Sequence, residues 1–105
     1  MFEIWSLRQL EWMMDNRRDQ FLLIDLRSPE HFQQGHLDGA VNLPLEDWKE
    51  EDASFCQDRQ LVFYCEHGGR SMQAARALGR KGFCTVSLGC GIGLYRGKHW
   101  VFHSP

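Results

Sequence analysis

Residues 61–82 read LVFYCEHGGRSMQAARALGRKG: an apolar run, then a cysteine, two glycines and an arginine, then residues at helical spacing. "QLVFY" suits a buried strand ending just before Cys65, and "SMQAARALGRK" suits a helix with Gly82 as its left-handed stop. A strand that feeds a helix through a short loop is part of an α/β unit, and the rest of the chain supplies the same pattern. "FLLIDL" (21–26) reads as a strand buried on both faces, and in the following "SPEHFQQG" Ser28 caps a helix, Pro29 takes its first position and Gly35 ends it. "AVNL" (40–43) is a short strand closed by Pro44, "LEDWKEED" a short charged helix or turn, and "CTVSL" a fourth strand before the glycine-rich "GCGIG". Near the start, Ser6 and Gln9 form a capping box for a helix to about Asp15, with Leu7, Leu10 and Met14 as its apolar stripe. Strands alternating with helices predict an α/β domain with a mostly parallel sheet.

Composition narrows the function classes. The 105 residues are 43% hydrophobic and 12% aromatic, enough for one core, and no linker or repeat divides them, so one soluble domain over 1–105 is expected. Twelve basic against 14 acidic side chains give a net charge of -2, which offers no broad positive field and excludes nucleic acid as the expected partner. "MFEIWSLRQLEWMMDNRRDQ" is charged throughout and reads neither as a signal peptide nor as a membrane span, so the cytoplasm is the expected compartment and no membrane partner is expected. Cys56, Cys65, Cys84 and Cys90 include no Cys-x-x-Cys pair. In a reducing compartment they read as core residues or as one reactive thiol, and their spacing against the five histidines implies no metal. Trp5, Trp12 and Trp48 read as core or core-edge packing.

In open parallel sheets, ligands bind at the loops leaving the carboxyl ends of the strands, which is where Cys65 falls. With Ser71 as the expected N-cap, the unpaired amides and positive dipole end of the next helix point at the sulfur and favour its thiolate. Gly68 and Gly69 can take positive φ and bring their amides together into an anion nest, and Arg70 adds a fixed charge with five donors. The same residues have an ordinary reading: a small buried hydrophobe at a strand end, a Gly-Gly turn and a solvated helix start.

"CEHGGRS" resembles the active-site loop of rhodanese-like sulfurtransferases, a cysteine, four residues and an arginine followed by serine between strand and helix. "LLIDLRSPEHFQQGHLDGAVNLP" (22–44) is similar to that family's upstream signature of Asp-x-Arg, a short helix, Gly-His and Gly-Ala. "LGCGIGLYRGKHW" resembles its closing segment, and together these stretches span roughly residues 21–100. The resemblance implies a three-layer α/β/α domain and a sulfurtransferase without a cofactor. Cys65 would take sulfur from a donor such as thiosulfate or a persulfide, carry it as a persulfide, and pass it to cyanide or a thiol. Loop residues Glu66, His67, Gly68, Gly69, Arg70 and Ser71 would hold the terminal sulfur. The implied partners are a small-molecule or protein sulfur donor and a thiol acceptor.

Lesser roles follow. His67 reads as a solvated loop tip or as a group that orients a donor, whereas Asp25, Arg27 and His36 read as structural. Glu66, beside the nucleophile, would repel a thiosulfate dianion. Two competing functions remain open: a cysteine phosphatase or arsenate reductase, whose loop in the phosphatases carries five residues where this one carries four, and a rhodanese-like binding or regulatory module. Cys90 stands where the family usually has Gly-Gly before a final helix. If "CTVSL" runs parallel beside "QLVFY", Cys90 emerges at the same sheet edge as Cys65, either as an idle small residue or as a resolving thiol.

Overall fold

The structure, a computed structural model, describes residues 2–44 and 58–102. In chain order its elements are β1 (Phe2–Trp5), α1 (Leu7–Asn16), a 3-10 turn (Arg18–Gln20), β2 (Phe21–Asp25), α2 (Pro29–Gln34), β3 (Gly35–Leu37), β4 (Val41–Asn42), β5 (Gln60–Tyr64), α3 (Gly69–Gly79), β6 (Thr85–Leu88) and β7 (Trp100–Phe102). Five strands form a wholly parallel sheet in the order β1-β6-β5-β2-β4, and β3 pairs with β7 in a separate antiparallel ribbon.

Period-two alternation along the central strands builds the layers. Phe21 and Leu23 of β2, Val62 and Tyr64 of β5, and Val86 and Leu88 of β6 gather in one core cluster with Leu10 and Met14 of α1. Ile24, Leu61 and Phe63 join a second cluster with Ala74, Ala75 and Leu78 of α3, and Cys65 continues that face. The sheet is thus sandwiched between α1 and α3. Truncating a fully buried residue such as Leu10 to alanine on the α1 side costs about 2–5 kcal/mol.

Local signals place the helices. The Ser6 hydroxyl accepts from the Gln9 amide at 3.1 Å and the Gln9 side chain accepts from the Ser6 amide at 2.9 Å, which starts α1 as the capping box requires. Ser28, Pro29 and Gly35 take the cap, first-turn and terminating positions expected of α2. The other boundaries shift: "AVNL" pairs only over Val41–Asn42, "CTVSL" only from Thr85, and Gly82 (φ +99°) lies past the last residue of α3.

Some elements have no counterpart in the sequence reading, and some residues depart from it. "FEIW" is an edge strand, and "GHL" and "WVF" form the small ribbon. No helix follows α3 among the described residues. Trp5 is buried edge-on to Phe21 at 5.5 Å, but Trp12 is exposed, with Arg17 at 5.5 Å from its ring. Cys84 and Cys90 are exposed rather than core. "LEDWKEED", Trp48 and Cys56 lie outside the described residues. No described helix is long and apolar enough to cross a membrane.

The carboxyl ends of β2 and β5 are joined where the site forms. The Leu26 amide donates to the Tyr64 carbonyl at 3.0 Å, and the buried Tyr64 hydroxyl accepts from the Leu37 amide of β3 at 3.1 Å. Burial pushes the Tyr64 phenol far above its ordinary range, so it stays neutral and serves as a brace. Tyr64→Phe keeps the ring and leaves the Leu37 amide without this partner. A loss of about 1–3 kcal/mol is expected, and thermal unfolding followed by circular dichroism would show it as a Tm roughly 5–15 °C lower. An unchanged Tm would mean that the hydroxyl braces nothing.

Candidate active site

Two amides converge on the sulfur of Cys65, that of Gly68 at 3.1 Å and that of Ser71 at 3.4 Å. Both come from the start of α3, where the first amides of a helix have no intrahelical acceptor. The chain reaches this arrangement through Gly68, the N-cap, which takes φ +96°, and whose missing Cβ leaves room for the Gly89 carbonyl. Of the two glycines able to take positive φ here, Gly68 does so and Gly69 does not. Gly69 is the first residue of α3 and has open space beside it.

Ser71 is likewise not the N-cap. It lies buried within the first turn of α3, where its hydroxyl donates to the Gly68 carbonyl at 3.0 Å and shares a 2.8 Å hydrogen bond with Ser87 of β6. The serine therefore ties the helix start to the sheet while its amide faces the sulfur.

"GCGIG" supports the loop from behind. The Ile92 amide donates to the Cys65 carbonyl at 2.9 Å and the Gly93 amide to the Glu66 carbonyl at 3.1 Å. Gly91 needs to be glycine on two counts: it takes φ +78°, and a Cβ there would meet the Glu66 carbonyl and stand 2.6 Å from the His67 Cα. Strands β5 and β6 are parallel neighbours, so the strand-order condition for a Cys65–Cys90 encounter is met. Cys90 is nonetheless exposed, its sulfur 3.7 Å from the Gly91 carbonyl, and it does not line the cavity above Cys65. That placement favours the idle reading over the resolving one.

The cavity above Cys65 has a volume of about 390 Å³ and is lined by Arg27, Ser28, His31, Glu66, His67, Gly69 and Arg70 in addition to the cysteine. His67 and Arg70 are exposed at its rim. The structure therefore brings together the Cys65 loop residues expected from sequence, with Gly68 and Ser71 buried beneath them. Ser28 and His31, joined by a 2.8 Å hydrogen bond, were not expected to line the site. The available signal was the Asp-x-Arg turn just before them, which brings the start of α2 to the same sheet edge.

Arg27 organises that edge. Its guanidinium meets both oxygens of buried Asp25 (2.8–3.1 Å), donates to the Gly35 carbonyl at 2.6 Å and stands 3.7 Å from Glu66. Burial works against its charge, but the hydrogen bonds and charge of Asp25 outweigh burial and hold its pKa above the ordinary value. The structural reading of Asp25 and Arg27 fits these contacts.

Among the described residues the one group with metal-ligand chemistry is Glu11, Asp15 and His99, which includes no cysteine. These side chains clasp the segment before β7 to α1: His99 Nε2 is 2.8 Å from Asp15 and 3.3 Å from Glu11, and Lys98 is 3.2 Å from Asp15. The His99 hydrogen bond, helped by Lys98, holds the Asp15 carboxyl below its ordinary pKa.

The chain is similar to known proteins. A family model described as a rhodanese-like domain matches residues 6–91. The uncharacterized protein YqhL of Bacillus subtilis is 38% identical over 80 residues, which are 76% of this chain and 61% of that one. Thiosulfate sulfurtransferase PspE of Escherichia coli is 38% identical over 71 residues, 66% of this chain and 68% of that one. The crystal structure of a rhodanese-like domain protein from Staphylococcus aureus superposes with a TM-score of 0.81 at 19% identity, covering 99% of this chain and 100% of that one.

The two loop glycines make opposite predictions. Gly68→Ala must give up positive φ or displace the Gly89 carbonyl, so Tm is expected to fall and alkylation of Cys65 by iodoacetamide to slow about tenfold as its amide donor moves. Gly69→Ala, with open space, is expected to keep stability within about 1 kcal/mol of wild type. Equal tolerance of both substitutions would refute this description of the loop.

Proposed function

The chain belongs to the rhodanese-like domain family, and from that membership we propose that it is a sulfurtransferase carrying sulfane sulfur as a persulfide on Cys65. The observation that carries the proposal is the pair of amides directed at the Cys65 sulfur beneath a cavity rimmed by Arg70. Such donors stabilise negative charge on sulfur, and sulfur is where charge sits at each stage of the reaction.

In the first half-reaction the Cys65 thiolate attacks the outer sulfur of a donor. With thiosulfate, the S–S bond of the donor breaks, sulfite leaves with the bonding pair, and Cys65 retains the transferred sulfur. In the second, cyanide or a thiolate attacks that outer sulfur and Cys65 departs as thiolate. Arg70 attracts an anionic donor to the cavity, and loop residues Glu66 to Ser71 surround the transferred atom. No step needs a cofactor. The reading extends to one domain acting in the cytoplasm on a small-molecule or protein donor and a thiol acceptor.

The four residues between Cys65 and Arg70 favour this chemistry over phosphoryl transfer. A loop with one residue fewer than the phosphatase loop makes a smaller ring of amides, suited to one sulfur atom rather than a tetrahedral phosphoryl group.

Intact mass spectrometry after incubation with thiosulfate, mercaptopyruvate and small persulfides in turn tests the proposal. A gain of one sulfur mapped to Cys65 and removable by cyanide is expected, with no aryl phosphate hydrolysis. Sulfur uptake and transfer that survive Cys65→Ser, or phosphatase activity that vanishes in it, would overturn it. Glu66 is 41% exposed and adds negative charge beside Cys65, so Glu66→Gln is expected to lower KM for thiosulfate. At the effective dielectric of a protein surface the change is roughly two- to fivefold. An unchanged or higher KM would count against the electrostatic role of Glu66.

A further inference from the structure

A second cavity, of about 400 Å³, adjoins the first. Arg27 and Glu66 line both, so their 3.7 Å contact stands between the two spaces. The walls differ in chemistry. The first cavity has the Cys65 loop and Arg70, whereas the second has Tyr95, Trp100 and Phe102. The Trp100 ring lies 6.3 Å from Tyr95 and 6.4 Å from Phe102, and Phe102 is 80% exposed.

The charged groups of this second space are engaged by the protein itself. Arg27 is held by Asp25 and lies 5.3 Å over the Trp100 ring, Glu66 faces Arg27, and Arg96 donates to the Gly93 and Tyr95 carbonyls at 3.2 and 2.8 Å. What it presents to a ligand is aromatic surface beside a polar edge in which Arg27 is paired with Asp25 and Glu66 while Arg96 stays exposed, a lining suited to an organic body.

We propose that this cavity holds the apolar or aromatic body of a low-molecular-weight thiol, whose sulfur reaches across Glu66 to Cys65. The assignment rests on the sulfurtransferase reading and names the class of its acceptor. The acceptor thiolate R–S⁻ attacks the outer sulfur of Cys65–Sγ–SH. A bond from R–S to that sulfur forms, the bond from Sγ to it breaks, and Cys65 leaves as thiolate while R–S–SH carries the proton. One S–S bond replaces another, so no external oxidant or reductant is needed. Run in reverse, the same cavity holds the leaving thiol of an organic persulfide donor. Cyanide has no body to place there.

The test begins with protein loaded with sulfur, verified by mass, and compares transfer to benzyl mercaptan, 2-mercaptoethanol and cyanide. In Trp100→Ala the ratio of kcat/KM for benzyl mercaptan to that for cyanide is expected to fall about tenfold, the scale for losing an apolar pocket wall. Phe102→Ala, at a position exposed enough to leave folding intact, is expected to lower the ratio about threefold, and the 2-mercaptoethanol ratio is expected to change less than twofold in either variant. Titration of unloaded wild type with benzyl alcohol is expected to move the Trp100 indole and Phe102 ring resonances saturably. Ratios that stay constant in both variants, or resonances that do not move, overturn the acceptor site while leaving sulfur transfer to cyanide intact. Binding of benzyl alcohol by a protein that never loads Cys65 overturns the sulfurtransferase reading itself and, with it, the acceptor role.

Discussion

The buried guanidinium of Arg27 is the joint on which the edge bearing the candidate site depends. It binds Asp25 at the end of β2, the Gly35 carbonyl where α2 gives way to β3, and Glu66 of the cysteine loop, while facing the rings of Tyr64 and Trp100. A buried charge is tolerated when it is paired and hydrogen-bonded, and removing one partner of such a pair costs about 3–5 kcal/mol because the other is left uncompensated. Arg27 therefore fixes β2, α2, the small ribbon and the cysteine loop relative to one another. It also forms, with Glu66, the shared wall of two chemically different cavities.

Beside this joint, the cysteine loop is shaped by close backbone approach. Gly68 faces the Gly89 carbonyl and Gly91 faces the Glu66 carbonyl, so two loops press together where side chains would hold them apart. Because the loop after β6 also donates amides to the Cys65 and Glu66 carbonyls, the first turn of α3 can turn two of its own amides towards the sulfur. The same preorganisation that costs conformational freedom on folding supplies oriented donors without rearrangement during reaction.

The far wall depends on the clasp between α1 and the segment before β7. Glu11 and Asp15 lie one turn apart on α1 and engage Tyr95, Lys98 and His99. The Tyr95 phenol, pushed up to about 12 chiefly by burial, stays protonated and donates to Glu11 at 3.1 Å while accepting from the His99 amide at the same distance. This anchors Tyr95 and carries the chain into β7, where Trp100 and Phe102 complete the aromatic surface.

The amino-acid sequence by itself determined what short-range chemistry determines. Ser6 with Gln9 and Ser28 with Pro29 marked two helix starts, short apolar runs marked β2 and β5, and the cysteine, glycines and arginine of residues 65–70 marked the loop of the candidate site, all within a few positions of the features they specify. Tertiary structure decided the rest. The close approach that leaves no room for a side chain at Gly68 came from the Gly89 carbonyl, and the hydrogen-bond partner of buried Ser71 is Ser87, both supplied by the strand-and-loop segment beyond α3. The edge strand β1 exists because β6 is beside it, and the ribbon of "GHL" with "WVF" exists because residues far apart in the chain meet, Gly35 opposite Phe102. Three-residue strands carry no periodicity of their own and are stabilised by partners that local sequence cannot display, which is why the second cavity came into view only with the fold.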